Sequence, residues 1–297
     1  MTKTELKQNI TKIKKFLKKR DYDAIDTGIE LARALNEPAV FETLLEGCSL
    51  DEEGRLTRNK IFIGTGPAQP YLDYALINLV CYAPDDTNLD EDLDRTNLKI
   101  LSISSSSWLE LPSGLTNLPN LTSLNLHYCS SLQNVGVLVN LPNITSLNLH
   151  YCRSLQNVDV LANLPNLTSL DLSECKSLQN VDGLANLTNL TSLDLSYCRS
   201  LQNVDVLASL TNLTELILYG CDSLQNVNGL TNCTNLTSLD MSDCSSLQNV
   251  DGLVNLTNLT SLDLRWSNKV QPKPSIEEMT TRKEVAAYQE EIKKSMK

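Results

Sequence analysis

Long apolar runs and aromatic residues are scarce in this sequence of 297 residues. The first 20 residues carry lysines throughout and contain no apolar run of signal-peptide length, and no later stretch is long enough for a membrane span. We therefore expect a soluble, cytoplasmic protein with no membrane span, and export by a leaderless route stays open. Aromatic residues make up only 5% of the chain and its apolar residues are rich in leucine, which suggests repetition rather than a varied globular core.

Basic residues are outnumbered, and the formal net charge of −11 argues against general binding to nucleic acids. The charge is unevenly placed. The first 20 residues hold eight basic side chains and one acidic side chain, so that this segment carries +7 and the remainder −18. The basic segment could touch an acidic protein, a membrane surface or a nucleic acid, but we favour the simpler interpretation of a solvated face on an amphipathic helix.

The nine cysteines do not indicate a disulfide framework. Their count is odd and no leader is recognisable, so a reducing cytosol fits better than an oxidising compartment. No C-x-x-C spacing occurs, which leaves a zinc or redox site as a minor alternative. We expect free thiols, with no metal and no cofactor.

A repeat of 23 residues occupies most of the chain. The pattern Leu-x-x-Leu-x-Leu begins at eight in-phase positions, which are Leu98, Leu121, Ile144, Leu167, Leu190, Leu213, Leu236 and Leu259. In one copy, Leu193 and Leu195 alternate as in a short strand with inward leucines, and Leu201 and Leu207 return the chain along the opposite side. Since one repeat cannot bury its leucines alone, we predict a stacked α/β solenoid whose parallel strands lie about 4.8 Å apart.

The segment 181–196, Val-Asp-Gly-Leu-Ala-Asn-Leu-Thr-Asn-Leu-Thr-Ser-Leu-Asp-Leu-Ser, resembles the repeats of internalin-like bacterial leucine-rich-repeat proteins. The resemblance covers residues 96–268 and implies a right-handed leucine-rich-repeat solenoid of eight repeats with a concave parallel sheet. Two features depart from the family: the unit is one residue longer than usual, and cysteine replaces the asparagine after the strand, as in the cysteine-type repeats of F-box-associated proteins. The internalin export leader is also missing, so a surface-exposed adhesive role does not carry over.

Positions that are identical in every copy are expected to serve the fold, whereas positions that vary are free to recognise a partner. The Gln-Asn pairs, such as Gln133 and Asn134, are constant and are expected to hydrogen-bond the turns. A cysteine column is equally constant and is expected to face backbone carbonyls at an interior corner. It consists of Cys129, Cys152, Cys175, Cys198, Cys221 and Cys244.

The variable positions lie on the outer face of the strands and just beyond their ends. They combine aromatic side chains with an acidic flank and a basic rim, and aromatic residues and arginine commonly anchor protein interfaces. The predicted partner-binding residues are His127, Tyr128, His150, Tyr151, Arg153, Asp171, Glu174, Asp194, Tyr197, Arg199, Tyr219, Asp240, Asp243, Asp263, Arg265 and Trp266. This surface suits a protein partner with a basic or mixed patch; the alternative is that its polar residues only solvate an exposed sheet.

Other candidate sites are weaker. His127 and His150 occupy equivalent positions of adjacent repeats and could bind a metal or respond to pH, but we favour interface contact. Residues 86–92 resemble the start of a calcium loop without its glycine and final glutamate, and residues 64–67 form a turn rather than a phosphate loop. The recurring Asn-Leu-Thr sequons belong to the repeat frame. No catalytic constellation is persuasive, so we expect no enzyme.

The two ends should cover the exposed leucines of the solenoid. We predict a helical domain over residues 1–95, repeats over 96–268 and a C-terminal capping helix within 269–297. Apolar stripes predict N-terminal helices over residues 6–17, 25–35, 40–45 and 71–82. A capping box at Thr281 and Glu284 opens the last helix, whose apolar side holds Val285, Tyr288, Ile292 and Met296.

The leading hypothesis is a non-enzymatic cytoplasmic scaffold of bacterial type that recognises a protein through the concave face. A second hypothesis is an effector exported without a cleaved leader that binds host proteins. A third is a regulatory subunit whose activity resides in residues 1–95.

Overall fold

The computed structural model describes residues 2–17, 22–35, 38–45, 48–50, 56–58, 61–62, 98–102, 109–111 and 113–297. The chain divides into two compact units, one with residues 1–106 and 111–125 and the other with residues 107–110 and 126–297. The predicted helix over residues 71–82, the turn at 64–67 and the acidic segment 86–92 lie outside the described residues.

The first unit begins with three helices where the apolar stripes predict them: α1 (Lys3–Leu17), α2 (Tyr22–Leu35) and α3 (Pro38–Leu44). Helix α1 packs against α2 and α3, and the shared core contains Ile13 and Phe41. The contact between α1 and α2 requires Gly28, because a Cβ atom there would lie 2.9 Å from Cβ of Phe16.

A small antiparallel sheet follows the helices and was not predicted. It consists of β1 (Cys48–Leu50), β2 (Leu56–Arg58) and β3 (Ile61–Phe62), paired in that order. Strands of two or three residues offer too few alternating positions for a pattern to reveal them. The first unit also contains β4 (Ile100–Ser102) and β5 (Ser123–Asn125), which pair in parallel, and a 3-10 helix at Ser113–Asn117.

The second unit repeats one strand every 23 residues. These strands are β6 (Ser146–Asn148), β7 (Ser169–Asp171), β8 (Ser192–Asp194), β9 (Glu215–Ile217), β10 (Ser238–Asp240) and β11 (Ser261–Asp263). Neighbours pair in parallel with equivalent residues in register, such as Leu193 with Leu216. Each strand buries its central leucine, which confirms the predicted parallel sheet and the 23-residue step.

The chain returns on the opposite side through short 3-10 helices. They span Gly136–Asn140, Asp159–Asn163, Asp182–Leu184, Asp205–Ser209, Asn228–Leu230 and Asp251–Leu253. In five of the six Gln-Asn pairs the asparagine holds the turn before the helix, as when Oδ1 of Asn249 accepts from the Asp251 amide at 2.9 Å. This part of the prediction is confirmed, whereas the glutamine side chains in these pairs, such as Gln156, are exposed.

The cysteine column lies at an interior corner, as predicted. The Sγ atom of Cys198 donates to the Leu172 carbonyl oxygen at 3.2 Å, and Cys152, Cys175, Cys221 and Cys244 make the equivalent contact at 3.1–3.5 Å. The next position of the column is Ser267, whose hydroxyl donates to the Met241 carbonyl at 2.7 Å. A small buried donor is therefore the common requirement at this corner.

The C-terminal end is covered by a short strand and a helix. Strand β12 (Glu278–Met279) pairs antiparallel with β11, and helix α4 (Arg282–Ser295) opens with the predicted capping box of Thr281 and Glu284. The Gln289 side chain donates to the Leu253 and Leu256 carbonyls at 2.8 and 3.0 Å, which ties α4 to the last repeat. Met296, expected on the buried stripe, follows the helix end and is 56% exposed. None of the helices among the described residues is long and apolar enough to cross a membrane.

The cysteine column predicts how stability depends on pH. Burial raises the pKa of Cys175 and of Cys244 to about 12, so these thiols stay protonated in the folded protein at pH values where the unfolded chain has ionised them. The resulting stabilisation is complete below about pH 8.5, the ordinary thiol pKa, and is lost as the pH rises toward 12. Each such thiol should contribute about 1.4 kcal/mol per pH unit to this loss.

The Cys175→Ser variant isolates the effect, because serine can donate to the same carbonyl, as Ser267 does, and does not titrate. Urea unfolding of both proteins between about pH 7.5 and pH 10 should give a shallower fall in the free energy of unfolding for the variant. Equal slopes would show that the thiol is not protonated preferentially in the folded state.

Candidate functional site

A turn with left-handed backbone lies three residues beyond the end of each strand from β5 to β11. The residues at this position, which we call the rim, are Tyr128 (φ 61°), Tyr151 (64°), Glu174 (60°), Tyr197 (56°), Gly220 (68°), Asp243 (55°) and Trp266 (63°). A left-handed backbone costs a residue with a Cβ atom about 1–2 kcal/mol, and only glycine, asparagine and aspartate adopt it routinely. The rim therefore places bulky aromatic residues where the backbone prefers glycine.

In four repeats an aspartate at the strand end holds this turn. The Asp194 Oδ1 atom accepts from the Ser196 amide at 2.8 Å, and Asp171, Asp240 and Asp263 make the same contact two residues ahead at 2.8–2.9 Å. The rim amides from Tyr128 to Asp243 then donate to the next repeat, as from Tyr197 to the Tyr219 carbonyl at 2.6 Å. The four aspartates, which the sequence suggested as partner-binding, thus have one oxygen committed to the fold.

Burial makes the charge of Asp194 costly. Desolvation raises the pKa of Asp194, and the nearby negative charge of Asp171 raises it further, while hydrogen bonds from Ser196 oppose the shift. A carboxylate in this position gains from any cation that approaches its outer side.

The first aromatic cluster combines two tyrosines and two histidines. The Tyr128 ring lies 4.8 Å from the Tyr151 ring and 5.2 Å from the His150 ring, measured between centroids, and His127 lies 5.4 Å from Tyr128. Tyr128 is 45% exposed, and the Arg153 guanidinium lies 3.7 Å above the Tyr151 ring. The predicted neighbourhood of the two histidines therefore includes two tyrosine rings that present a face to solvent.

His150 contacts a buried serine of the next repeat. The His150 Nδ1 atom lies 2.7 Å from the Ser173 hydroxyl, which itself donates to Asp171. Because that hydroxyl proton is committed to Asp171 and the serine is buried, Ser173 is not an activated nucleophile. Desolvation lowers the pKa of His127, and the charge of His150 lowers it further, so His127 is neutral at neutral pH.

The basic side chains beyond the strand ends are paired. Glu174 contacts Lys176 at 2.9 Å and Arg153 at 3.6 Å, and their charges lower the pKa of Glu174 although burial opposes this. Arg199 pairs with Asp222 at 3.4 Å, and Arg265 pairs with Asp263 and, at 3.1 Å, with Glu278. The basic side chains that the sequence places beyond the strand ends thus form a series of ion pairs. Their carboxylate partners Asp222 and Glu278 were not predicted.

A second aromatic cluster lies farther along the rim. The rings of Tyr197 and Tyr219 are 4.7 Å apart, and a hydrogen bond with Tyr197 raises the pKa of Tyr219 to about 12. The Tyr197 ring lies over Gly220, where a Cβ atom would be 2.7 Å from the ring. At the end of the rim, Trp266 is 57% exposed with the Arg265 guanidinium 5.4 Å from its ring.

The described residues hold no group of three or more His, Cys, Asp or Glu side chains arranged to bind a metal ion. What the site offers instead is a row of partly exposed rings with polar groups between them. Such a row suits non-covalent recognition of another macromolecule.

Comparison with known proteins agrees with this geometry. A model of Zer-1-like leucine-rich repeats matches residues 181–292, and a model of the BspA-type leucine-rich-repeat region matches residues 102–225 in six copies. Comparison with curated protein sequences gives no match.

Many solved structures are similar to the chain, including the following two. An internalin (inlF) from Listeria monocytogenes is 22% identical with a TM-score of 0.51, and the match covers 80% of this chain and 74% of that one. The leucine-rich-repeat domain of the type III effector XopL is 20% identical with a TM-score of 0.55, and the match covers 86% of this chain and 90% of that one. At these identities the likeness shows the fold.

The chain therefore contains leucine-rich repeats and has the leucine-rich-repeat fold. Both matching family models describe leucine-rich repeats, and neither describes an enzyme. Proteins built this way generally serve as scaffolds that bind other proteins, and the row of exposed rings on this chain is consistent with that general role.

Backbone strain at the rim can be measured at Trp266. Glycine at φ 63° avoids the steric cost that alanine meets, so Trp266→Gly should be more stable than Trp266→Ala by about 1 kcal/mol. The neighbouring Arg265 has ordinary backbone, and there the order should reverse, with Arg265→Ala more stable than Arg265→Gly. Chemical denaturation of the four variants checks both orders. If alanine is at least as stable as glycine at residue 266, the rim is not strained.

Proposed function

We propose that this protein is a non-enzymatic scaffold that recognises another protein through the rim and the adjoining outer face of the sheet. The observation that carries the proposal is the presence of Tyr128, Tyr151, Tyr197 and Trp266 at left-handed backbone positions. Glycine would meet no backbone strain in these turns, and Gly220 shows that the fold accepts it. Aromatic residues at such positions indicate selection for binding rather than for stability.

The rings are also pre-organised. The Tyr128 amide donates to the His150 carbonyl at 2.8 Å and the Tyr151 amide to the Ser173 carbonyl at 2.8 Å, which fixes the backbone below each ring. Arg153 restrains the Tyr151 ring from above. Binding therefore costs little side-chain entropy, which is the condition under which tyrosine and tryptophan act as anchors.

We further propose that the protein works in the cytoplasm. Six buried cysteines are free thiols, which suits a reducing compartment. They are Cys152, Cys175, Cys198, Cys221, Cys233 and Cys244. Leaderless export and a regulatory role for residues 1–95 stay predictions from the sequence, because no contact among the described residues favours either one.

The proposal is tested by capture from native lysate with two matched variants. The rim variant carries Tyr128→Asn, Tyr151→Asn and Trp266→Asn, since asparagine tolerates the left-handed backbone and removes only the ring. The control carries Gln156→Ala, Gln179→Ala and Gln202→Ala, three exposed side chains of the Gln-Asn pairs on the return side of the repeats.

The natural protein and the control should capture the same partner, and titration with that partner after purification should show at least about 30-fold weaker binding by the rim variant. A partner that binds the rim variant as well as the natural protein would place recognition elsewhere and would contradict the proposal.

A further inference from the structure

The strand and rim segment of one repeat departs from the preceding copy on its outer face. Residues 192–197 read Ser-Leu-Asp-Leu-Ser-Tyr, whereas the equivalent residues 215–220 read Glu-Leu-Ile-Leu-Tyr-Gly. The two inward leucines, Leu216 and Leu218, are kept and fully buried. All four outward positions have changed together, so within this segment the difference concerns the surface and not the core.

Ile217 replaces the aspartate that holds the turn in neighbouring repeats. It pairs in register with Asp194 on one side and with Asp240 on the other, and it is partly exposed. Isoleucine cannot accept the amide hydrogen bond that Asp194 and Asp240 accept, so this repeat gives up a fold contact and exposes apolar surface. Neither change helps the isolated protein.

Aromatic side chains adjoin Ile217. The Tyr219 ring contacts the Tyr197 ring at 4.7 Å between centroids, and Tyr197 can lie over Gly220 only because glycine has no side chain. The other three aromatic rim residues have no such glycine in the repeat that follows them. The combination of an exposed apolar side chain with two adjoining tyrosine rings is therefore confined to this repeat.

Carboxylates surround the Ile217 side chain. Glu215 lies on the same strand face and accepts from the Ser192 hydroxyl at 3.2 Å, Asp194 and Asp240 flank Ile217, and Asp243 acts on Tyr219 electrostatically. Two basic side chains adjoin these carboxylates, and both are paired. Arg199 lies 5.7 Å from the Tyr197 ring and pairs with Asp222. Arg265 interacts electrostatically with Asp240 and pairs with Asp263 and Glu278. We call this set, with Ile217, Tyr219, Tyr197 and Gly220, the Ile217 patch.

We propose that the Ile217 patch binds an arginine side chain of the protein partner, an assignment that rests on the proposed function. Strands two apart in a sheet are separated by about 9.6 Å, which accommodates one guanidinium group between Asp194 and Asp240. Each carboxylate has a second oxygen besides the one that holds its turn, and a planar guanidinium donates in more than one direction. The arginine methylenes would cover Ile217, and the tyrosine rings attract the cation.

Arginine fits this patch better than lysine does. An ammonium group is a compact charge that approaches one carboxylate at a time, whereas the guanidinium fork reaches both and stacks on a ring. Partial burial of Asp194, which makes its charge costly in the free protein, also favours a cation that excludes water.

The test reverts this repeat to the pattern of its neighbours. The variant Ile217→Asp, Tyr219→Ser carries Asp-Leu-Ser, the sequence of residues 194–196, and keeps Gly220 beneath the Tyr197 ring. It should fold, because Asp restores the turn contact. The control is Asn228→Asp, which adds the same negative charge as Ile217→Asp in the same repeat, on the return side, where four other copies carry aspartate.

The probes are end-blocked peptides Gly-Ser-X-Ser-Gly in which X is arginine, lysine or citrulline, titrated while the methyl signals of Ile217 are followed by NMR. The arginine peptide should shift these signals in the natural protein. In the natural protein and in the control, the citrulline peptide should bind at least about tenfold more weakly than the arginine peptide. The reverted variant, followed through its backbone amides, should bind the arginine peptide at least about tenfold more weakly than the natural protein. Citrulline binding as strong as arginine binding, or undiminished arginine binding by the reverted variant, would overturn the assignment.

The same variants separate this inference from the proposed function. A captured partner that needs the rim but binds the reverted variant at full strength would refute the arginine site and leave the scaffold proposal intact. A partner indifferent to the rim variant would refute the scaffold proposal, and the peptide titrations would still decide whether the Ile217 patch binds arginine. Tight binding of the lysine peptide, equal to that of arginine, would refute the guanidinium geometry.

Discussion

The structure depends on the return of the chain to the same place after 23 residues, because only then does each leucine meet its counterpart in the next copy. Burial of leucine supplies most of the stabilisation but has no direction. The course of the backbone is set by two polar contacts, one on each side of the turn. On the inside the Cys198 thiol donates to the Leu172 carbonyl, and on the outside the Asp194 carboxylate accepts from the Ser196 amide. Together they fix the end of β8, and the same two contacts recur after β7 and β10.

The left-handed rim is a consequence of that turn. The fold requires the positive φ of residues such as Tyr197 and Gly220, but it does not require an aromatic ring there. Backbone preference and side-chain identity therefore disagree at four aromatic positions, and such disagreements in natural proteins concentrate where the surface binds something. Repeat 213–235 differs in the opposite way. It has the preferred glycine in the rim, at Gly220, but lacks the aspartate contact because Ile217 stands there, and both changes expose the surface around Ile217.

Much of the fold could be predicted from the sequence because its information is repetitive. Eight copies of one spacing identify the strands, and the box of Thr281 and Glu284 identifies the last helix. The strands β1, β2 and β3 could not be predicted, because they occur once and are too short to show a period. The ion pair of Arg199 and Asp222 could have been predicted, because these residues are 23 positions apart and meet in register. The diagonal ion pair of Arg153 and Glu174 could not.

The sequence by itself determined the period of the repeat, the inward leucines and the positions that vary between copies, because all three are properties of spacing along the chain. Only the tertiary structure decided which of the outward side chains are already engaged. Asp194 turns back onto Ser196, Arg153 lies over Tyr151, and Tyr197 rests on Gly220. The physical reason is that these contacts depend on backbone angles and on side-chain directions across neighbouring strands, and a pattern of letters specifies neither of them.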